Sequence, residues 1–322
     1  MMKVPDHLLR EAPGPGERIW SDHKESMMPE LPEVEMYRRD LEGFFINSSI
    51  ESIRIFRKDI WISKPDLPSE RVLGESLFRQ GKILVFSFRP SVLPKNDGQV
   101  SPWFLLSRFG MSGSWRILDP KGKNPSHTHL EIRFSRTPGR LVWVDPRRFG
   151  RLEWVPSLSQ SSLLSGVGPD ALSITPEDLF KAFKSSSRTV RSILMDQSQI
   201  AGIGNIYAAE ILFRAMMNPF RNAAEVSIGE IDRLCRTMKT VLEESLRAGG
   251  STIHSYARQD GSQGAYQHQH RVYGRGGQPC VQCGIPVQKV LLEGRSLYYC
   301  SFCQGSMEST RRRHAAVEFL NS

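Results

Sequence analysis

The segment KILVFSF, at residues 82–88, belongs to a series of strand-like segments that decides the fold. From Ser49 to about Pro156 polar and apolar residues alternate repeatedly, which predicts half-buried strands. The other clear segments are SIRIF at 52–56, HLEIRFS at 129–135 and RLVWVD at 140–145. Stretches rich in Pro, Gly, Asn and Asp separate them, so we expect short strands arranged as an antiparallel sandwich or barrel.

Helical patterns flank this strand-rich region on both sides. MPELPEVE, at residues 28–35, begins a short helix predicted over residues 29–41. Thr175 precedes a proline and two acidic residues, which is typical of a helix start. Ser227, with a glutamate three residues later, starts a second helix, and a Gly-Gly pair at 249–250 ends it. The fold class is therefore α+β, with a β-rich half followed by a helical half.

The composition is that of a globular protein with a basic surface. The chain has 322 residues, 39% of them hydrophobic, and carries 43 Lys and Arg against 34 Asp and Glu, a net charge of +9. A polyanionic partner such as nucleic acid explains this charge, and an ordinary solvated surface explains it as well. The sequence has neither a long apolar run nor the apolar core of a secretory signal, so we expect a cytosolic protein that makes no membrane contact.

Four cysteines near the C-terminus have the spacing of a tetrahedral zinc site. They are Cys280, Cys283, Cys300 and Cys303. Each pair lies on a tight turn that directs two thiolates to one point, and Gly284 suits the first turn. Such a closed site predicts one structural Zn²⁺ that holds a short hairpin together, with four unrelated thiols as the alternative. Cys235 lies in a helical pattern and is expected in the core.

Three further segments have features of nucleic-acid binding. DQSQIAGIGNIYAAE, at 196–210, is a Gly-rich turn before a helix, whose amides and dipole favour an anion. DPRRFG, at 145–150, places two guanidinium groups beside an aromatic ring that can enter a base stack. Met111 lies on another Gly-flanked loop. Taken singly, each segment is also explained as an ordinary turn. The first does not follow a strand, which excludes a dinucleotide site.

These motifs occur with others in one order along the chain. The set is MPELPEVE, GKILVF, FGMSGSWRIL, DPRRFG, LMDQSQIAGIGNIYAAEILF, VYGRGGQPCVQCG and YYCSFC. Over about residues 28–305 the chain resembles the formamidopyrimidine-DNA glycosylase branch of the family that also contains endonuclease VIII. The resemblance implies an N-terminal β-sandwich, a helix-two-turn-helix domain and a zinc finger. Damaged double-stranded DNA would bind in the cleft between the two halves of a monomer.

The resemblance also implies a division of the chain into five parts. Residues 1–28 are expected to be a disordered leader, and residues 29–156 the catalytic β-sandwich domain. Residues 165–255 would form the helix-two-turn-helix DNA-binding domain, residues 268–305 the zinc finger and residues 306–322 a tail. The activity implied is that of a bifunctional DNA glycosylase and AP lyase that removes oxidised purines in the bacterial cytoplasm or nucleoid.

Four residues match the catalytic positions of the family. Pro29 would be the nucleophile and Glu30 the acid/base beside it. Lys82 would assist β-elimination, with an exposed strand-end lysine as the alternative, and Arg295 would assist δ-elimination. Glu33 resembles a support for the active site, although a solvated helical face would explain it equally.

Six residues match the family's DNA-binding positions. Met111, Arg147 and Phe149 would fill the gap that a flipped nucleotide leaves. His127, Arg148 and Asn205 would contact phosphates. Arg295 would also do so from the zinc finger.

The proposed nucleophile demands a free amine at residue 29. A lysine of pKa about 10.4 is only about 0.04% neutral at pH 7, whereas an α-amine of pKa about 7.8 is about 14% neutral. A proline nitrogen inside a chain is a tertiary amide without a nucleophilic lone pair. We therefore expect residues 1–28 to be absent from the active protein, with translation starting at Met28.

Departures from the family pattern leave the lesion preference open. Arg108 and Phe109 replace the usual His-Leu, and serines replace the lysines before LMD. The base-covering loop has Ala265 and Tyr266 in place of Gly-Tyr-Phe. An oxidised-pyrimidine glycosylase of the endonuclease VIII type is one alternative, and a non-catalytic binder of damaged DNA is another if the leader is retained. A zinc-ribbon transcription module would leave the N-terminal half unexplained.

Overall fold

The computed structural model describes residues 28–62, 71–91, 102–135, 139–251 and 264–305. The leader at 1–27 and the tail at 306–322 lie outside the described residues, as does part of the predicted base-covering loop. The described residues between 28–167 and 245–267 form one compact unit, and those between 168–244 and 268–305 form a second.

The first unit is built on two four-stranded antiparallel sheets, which confirms the predicted sandwich. The order in one sheet is β1-β6-β7-β5 and in the other β2-β3-β4-β8. The strands are β1 (Ile50–Ile55), β2 (Val72–Gln80), β3 (Ile83–Pro90), β4 (Trp103–Arg108), β5 (Ser114–Leu118), β6 (Thr128–Phe134), β7 (Arg140–Val144) and β8 (Arg151–Val155). Side chains from both sheets meet in one core, which includes Phe86 and Leu105 from one sheet and Ile132 and Trp143 from the other.

Strand β3 is buried on both faces, so the prediction of a half-buried strand is wrong there. Leu84 and Phe86 point into the main core. Ile83 and Val85 point to the opposite face, where a second apolar cluster that contains Leu163 covers them. The strand lies inside its sheet and is covered on both sides, which explains its run of apolar residues without strict alternation.

Helix α1 (Leu31–Phe45) packs on the β2-β3 sheet and is longer than the predicted 29–41. Leu31, Val34, Leu41 and Phe45 are at most 1% exposed, and they repeat at the spacing of one helix face. Burial of this face against the sandwich extends the helix beyond the predicted end. The strand-rich domain therefore carries its first helix against its own core, with residues 28–30 at the helix start.

The second unit contains α2 (Pro176–Lys184), α3 (Val190–Met195), α4 (Asn205–Arg214) and most of α5 (Ile228–Arg247). Both predicted starts are confirmed. The Thr175 side chain accepts a hydrogen bond from the Asp178 amide, and the Glu230 carboxylate accepts one from the Ser227 amide at 2.9 Å. Helix α5 ends before Gly249, as predicted, because the amide of Gly250 donates to the Ser245 carbonyl.

A short hairpin follows, formed by β9 (Gln288–Leu292) and β10 (Arg295–Tyr299). Its turn holds two consecutive left-handed residues, Glu293 and Gly294, which suits a tight two-residue loop. Among the described helices none has both the length and the apolar character needed to cross a bilayer.

Candidate functional site

The start of α1 is a buried, hydrogen-bonded segment. Pro29 is buried, and the side chain before it, Met28, is 37% exposed. Glu30 is 3% exposed and Glu33 is fully buried. The Glu33 carboxylate accepts one hydrogen bond from the Glu30 amide at 3.0 Å and another from the Ser251 amide at 2.9 Å. Glu33 thus ties the predicted nucleophile segment to the loop after α5, and a solvated helical face is excluded as its explanation.

The loop after α5 approaches this carboxylate closely. Gly250 has φ +79°, and a Cβ there would lie 3.1 Å from Glu33 Oε1. A Cβ on Gly264 would lie 2.3 Å from the Gly250 carbonyl oxygen. Side chains at these two positions would push the loop away from Glu33, so glycine is needed at both for the observed packing.

Lys82 lies in the turn between β2 and β3 and is partly buried. Arg79 braces this turn by donating to the Gly81 carbonyl at 2.8 Å. The same guanidinium lies 3.7 Å from the carboxylate of Glu35 on α1. The Lys82 turn and helix α1, which begins two residues after Pro29, are therefore held to one another through Arg79 and Glu35.

The predicted gap-filling residues lie on two loops of the sandwich, β4-β5 for Met111 and β7-β8 for Arg147 and Phe149. Phe149 is 51% exposed although its ring is apolar. The Arg147 guanidinium lies 5.4 Å from the centre of this ring, within the range of a cation–π contact. An exposed aromatic ring beside a cation is suited to contact with a nucleic acid.

The two predicted phosphate contacts of the first unit are also exposed. His127 has φ +65° and lies immediately before β6. Arg148 has φ +59°, and its guanidinium lies 3.6 Å from Asp59. The side chains of both ion-pair partners are about half exposed, at 53% and 50%. Little free energy is therefore lost when a phosphate replaces Asp59 as the partner of Arg148.

In the second unit the structure brings Asn205 and the β9-β10 hairpin together. Asn205 is the first residue of α4, and its side-chain Nδ2 donates to the backbone carbonyl of Ser296 at 2.8 Å. Ser296 follows Arg295, whose side chain is exposed. The predicted phosphate contact at the helix start and the predicted δ-elimination residue are therefore adjacent.

A buried arginine, Arg191, lies behind these residues and was not predicted. It is 1% exposed and donates to Asn205 Oδ1 at 2.9 Å. Its other terminal nitrogen, Nη1, lies 3.9 Å from Glu293 and makes no hydrogen bond within the described residues. Burial lowers the pKa of Arg191, with Glu293 acting against this and Arg295 adding to it. A buried guanidinium with spare donors at a helix N-terminus is suited to an anion.

Glu210, on α4, fixes the segment that leads into the cysteine-bearing hairpin. It is fully buried, and its carboxylate accepts hydrogen bonds from the amides of Arg271, Val272 and Tyr273 at 2.9–3.0 Å. Three charge-assisted bonds to consecutive amides make this a strong anchor.

The four predicted cysteine ligands are brought together. Their sulfur atoms all lie within 4.8 Å of one another, and two pairs are separated by 3.5 and 3.9 Å. Tetrahedral Zn–S bonds of about 2.3 Å place the sulfurs about 3.8 Å apart, so the cluster fits such an ion. Gly284 has φ +76°, as the predicted first turn requires. Cys235 lies apart from this cluster in the core, as predicted.

Sequence reasoning missed the buried ionic residues that support the site, including Arg79, Arg191 and Glu210. A signal existed for Glu210, since a charged residue between Ala209 and Ile211 interrupts an apolar stretch of α4. Such a residue is buried only when it has partners, but the sequence alone does not identify them.

Comparison with known proteins gives two family matches. The sequence model of the formamidopyrimidine-DNA glycosylase N-terminal domain matches residues 28–152. The model of the formamidopyrimidine-DNA glycosylase H2TH domain matches residues 166–257.

Individual relatives match over nearly their whole length. The formamidopyrimidine-DNA glycosylase of Bartonella quintana is 37% identical over 301 residues, with 86% of this chain and 100% of the relative covered. The crystal structure of the MutM (Fpg) protein of Thermus thermophilus has a TM-score of 0.75 and 34% identity, covering 86% of this chain and 99% of that one. A structure of MutM in complex with DNA containing carbocyclic 8-oxo-G has a TM-score of 0.74 and 29% identity, covering 86% and 100%.

Proposed function

The chain belongs to the formamidopyrimidine-DNA glycosylase family, and we propose that it excises oxidised purines from damaged double-stranded DNA and then cleaves the strand. Its substrates would be 8-oxoguanine and formamidopyrimidines. The observation that carries the proposal is the buried start of α1, where Pro29 and Glu30 lie beside the fully buried Glu33. A MutM bound to 8-oxo-G DNA among the structural relatives supports the choice of lesion.

Base release would proceed by direct displacement at the sugar. The Pro29 nitrogen lone pair forms a bond to C1′ while the glycosidic bond breaks and its electrons leave with the base. Glu30, the next residue in the chain, would accept and donate the protons that move in this step. The product is an aminal in which C1′ is bonded to both the Pro29 nitrogen and the ring oxygen O4′. The nitrogen loses its proton, the C1′–O4′ bond breaks as O4′ gains a proton, and the nitrogen lone pair forms a C1′=N double bond, which gives an iminium cation.

Strand cleavage would follow from this iminium. The cation acidifies C2′, and loss of that proton expels the 3′ phosphate by β-elimination. A second elimination expels the 5′ phosphate. Lys82 and Arg295 are the cations proposed to assist these two steps by contacting phosphate and moving protons. Hydrolysis of the final iminium, in which water supplies the aldehyde oxygen at C1′, regenerates the free amine.

This chemistry requires the bond between Met28 and Pro29 to be absent in the active form. As long as that bond exists, the nitrogen is a tertiary amide and cannot attack C1′. We propose that the working enzyme begins at Pro29, by initiation at Met28 and removal of that methionine. A chain that retains the preceding residues would be a binder of damaged DNA without lyase activity.

DNA binding would use both units. Asn205 and Arg295 would hold a phosphate at the start of α4, with the buried Arg191 supplying charge behind them. His127 and Arg148 would hold phosphates from the sandwich. Met111, Arg147 and Phe149 would occupy the space that the extruded nucleotide leaves.

The metal proposed for the cysteine cluster is one structural Zn²⁺. Four sulfur donors and a closed geometry favour zinc over the oxygen-preferring cations. Its role is to fold the β9-β10 hairpin and so to place Arg295. We propose a monomer that acts in the bacterial cytoplasm at the nucleoid.

The proposal is tested with the Pro29-start form on labelled duplexes containing either 8-oxoguanine or thymine glycol. We expect faster cleavage at 8-oxoguanine, with phosphate on both ends of the one-nucleotide gap. Preferential cleavage at thymine glycol would favour the oxidised-pyrimidine alternative. Tight binding of both duplexes with no cleavage of either would refute the enzymatic function.

A further inference from the structure

Asp145, at the end of β7, is a fully buried carboxylate that joins two loops. Its Oδ1 accepts a hydrogen bond from the Ser112 hydroxyl on the β4-β5 loop. Its Oδ2 accepts one from the Gly150 amide on the β7-β8 loop at 2.8 Å. The first loop carries Met111 and the second carries Phe149.

The backbone of Asp145 extends this network to a third segment. Its amide donates to the His127 carbonyl at 3.1 Å. Its carbonyl accepts from the ring of His129 at 2.8 Å and from the Arg148 amide at 3.3 Å. Three segments that each carry a proposed DNA contact therefore converge on one buried residue.

Ser112 connects the same loops a second time. Its hydroxyl oxygen accepts a hydrogen bond from the Arg147 amide at 3.0 Å while its proton is donated to Asp145. The loop backbones also touch, since a Cβ on Gly110 would lie 2.5 Å from the Phe149 carbonyl carbon. Gly110 has φ +61°, so both the conformation and the close approach require glycine.

We propose that Ser112 and Asp145 are positioning residues that hold Met111, Arg147 and Phe149 together as one rigid wedge. The inference rests on the proposed function, in which this wedge enters the base stack. Unstacking two adjacent bases costs a few kcal/mol per base step. Loops that moved independently before binding would also lose conformational entropy on insertion. A wedge ordered before binding avoids that second cost.

The test compares Ser112→Ala with the matched control Ser114→Ala. Ser114 is also buried and lies two residues away, but its hydroxyl donates to the Val144 carbonyl within the sheet. Excision is measured on a fully paired 8-oxoguanine duplex and on one that lacks the base opposite the lesion, which needs less opening. We expect Ser112→Ala to be about tenfold slower on the paired duplex, the value of one charge-assisted hydrogen bond, and within about twofold of the unsubstituted enzyme on the opened one.

A double-mutant cycle with Phe149→Ala separates positioning from general stability. If Ser112 acts through the wedge, its substitution adds less than about twofold once Phe149 is removed. Equal slowing on both duplexes, or effects that multiply in the double variant, would overturn the proposal. Borohydride trapping of each variant on abasic DNA tests the covalent chemistry separately. If a variant is trapped normally but shows no difference between the paired and the opened duplex, the wedge proposal is refuted while the proposed function stands.

Discussion

Replacement of Glu33 by glutamine tests whether the start of α1 depends on a buried carboxylate. Glu33 accepts hydrogen bonds from the amides of Glu30 and Ser251 through its two oxygens. Glutamine has one acceptor oxygen, so one of the two amides would face an NH₂ group and lose its partner. A hydrogen bond to a charged group contributes about 1.5–3 kcal/mol, so we expect the free energy of unfolding of the first unit to fall by about 2 kcal/mol. Glu33→Ala would leave both amides without this acceptor and cost about 4 kcal/mol.

The unfolding of the first unit can be followed by tryptophan fluorescence. All described tryptophans lie in that unit, namely Trp61, Trp103, Trp115, Trp143 and Trp154. Glu42→Gln is the matched control, because Glu42 lies on the same helix in an ion pair with Arg38 that leaves 44% of its side chain exposed. We expect the control to change the unfolding free energy by no more than about 0.5 kcal/mol.

The variants should rank in excision rate as they rank in stability, because in both Glu33 variants Glu30 would no longer be fixed beside Pro29. We expect the glutamine variant to be slowed at saturating DNA, with a smaller change in DNA affinity. An unfolding free energy and a rate both equal to those of the control would refute the role assigned to Glu33.

Four further predictions follow from the other contacts. Glu210→Gln should speed amide hydrogen exchange at residues 271–273, and unchanged exchange would contradict the anchoring role. A chelator should release one zinc ion per chain and abolish DNA binding. Binding that persists after the metal is removed would show that zinc is not needed to position Arg295. Burial opposes ionisation of Glu230, but hydrogen bonds from Arg221 and Ser227 lower its pKa to about 2. The destabilisation by Glu230→Gln should therefore be complete above about pH 4.5 and vanish as pH falls toward 2 in acid unfolding curves, and a pH-independent effect would contradict it. DNA affinity should fall steeply with salt, and a flat dependence would exclude phosphate contacts.

The sandwich and the helix starts could be predicted because their signals are local. Capping at Thr175 depends on residues within one helical turn, and the cysteine spacing encodes a ligand cluster directly. Strand β3 was recognised as a strand, but its outer face was expected to be solvated. Only the second apolar cluster around Leu163, about 80 residues later in the chain, determines that this face is buried.

The contacts that support the site could not be predicted because the two partners of each are distant in sequence. Glu33 meets Ser251, Ser112 meets Asp145, and Asn205 meets Ser296 only after folding. A buried carboxylate is recognisable as needing partners, but which amide or hydroxyl supplies them depends on tertiary structure. The family resemblance supplied the proposed reactive residues, and the structure shows which residues contact their segments.

The central claim, that the Pro29 nitrogen forms the covalent bond to DNA, is tested by borohydride trapping followed by peptide mapping. Two forms are compared, one that begins at Pro29 and one that retains residues 1–28. N-terminal sequencing verifies where each form begins. We predict that the first form yields a DNA adduct located on the Pro29 peptide and that the second yields none. An adduct on another residue, or equal trapping of the form with residues 1–28 still attached, would contradict the account.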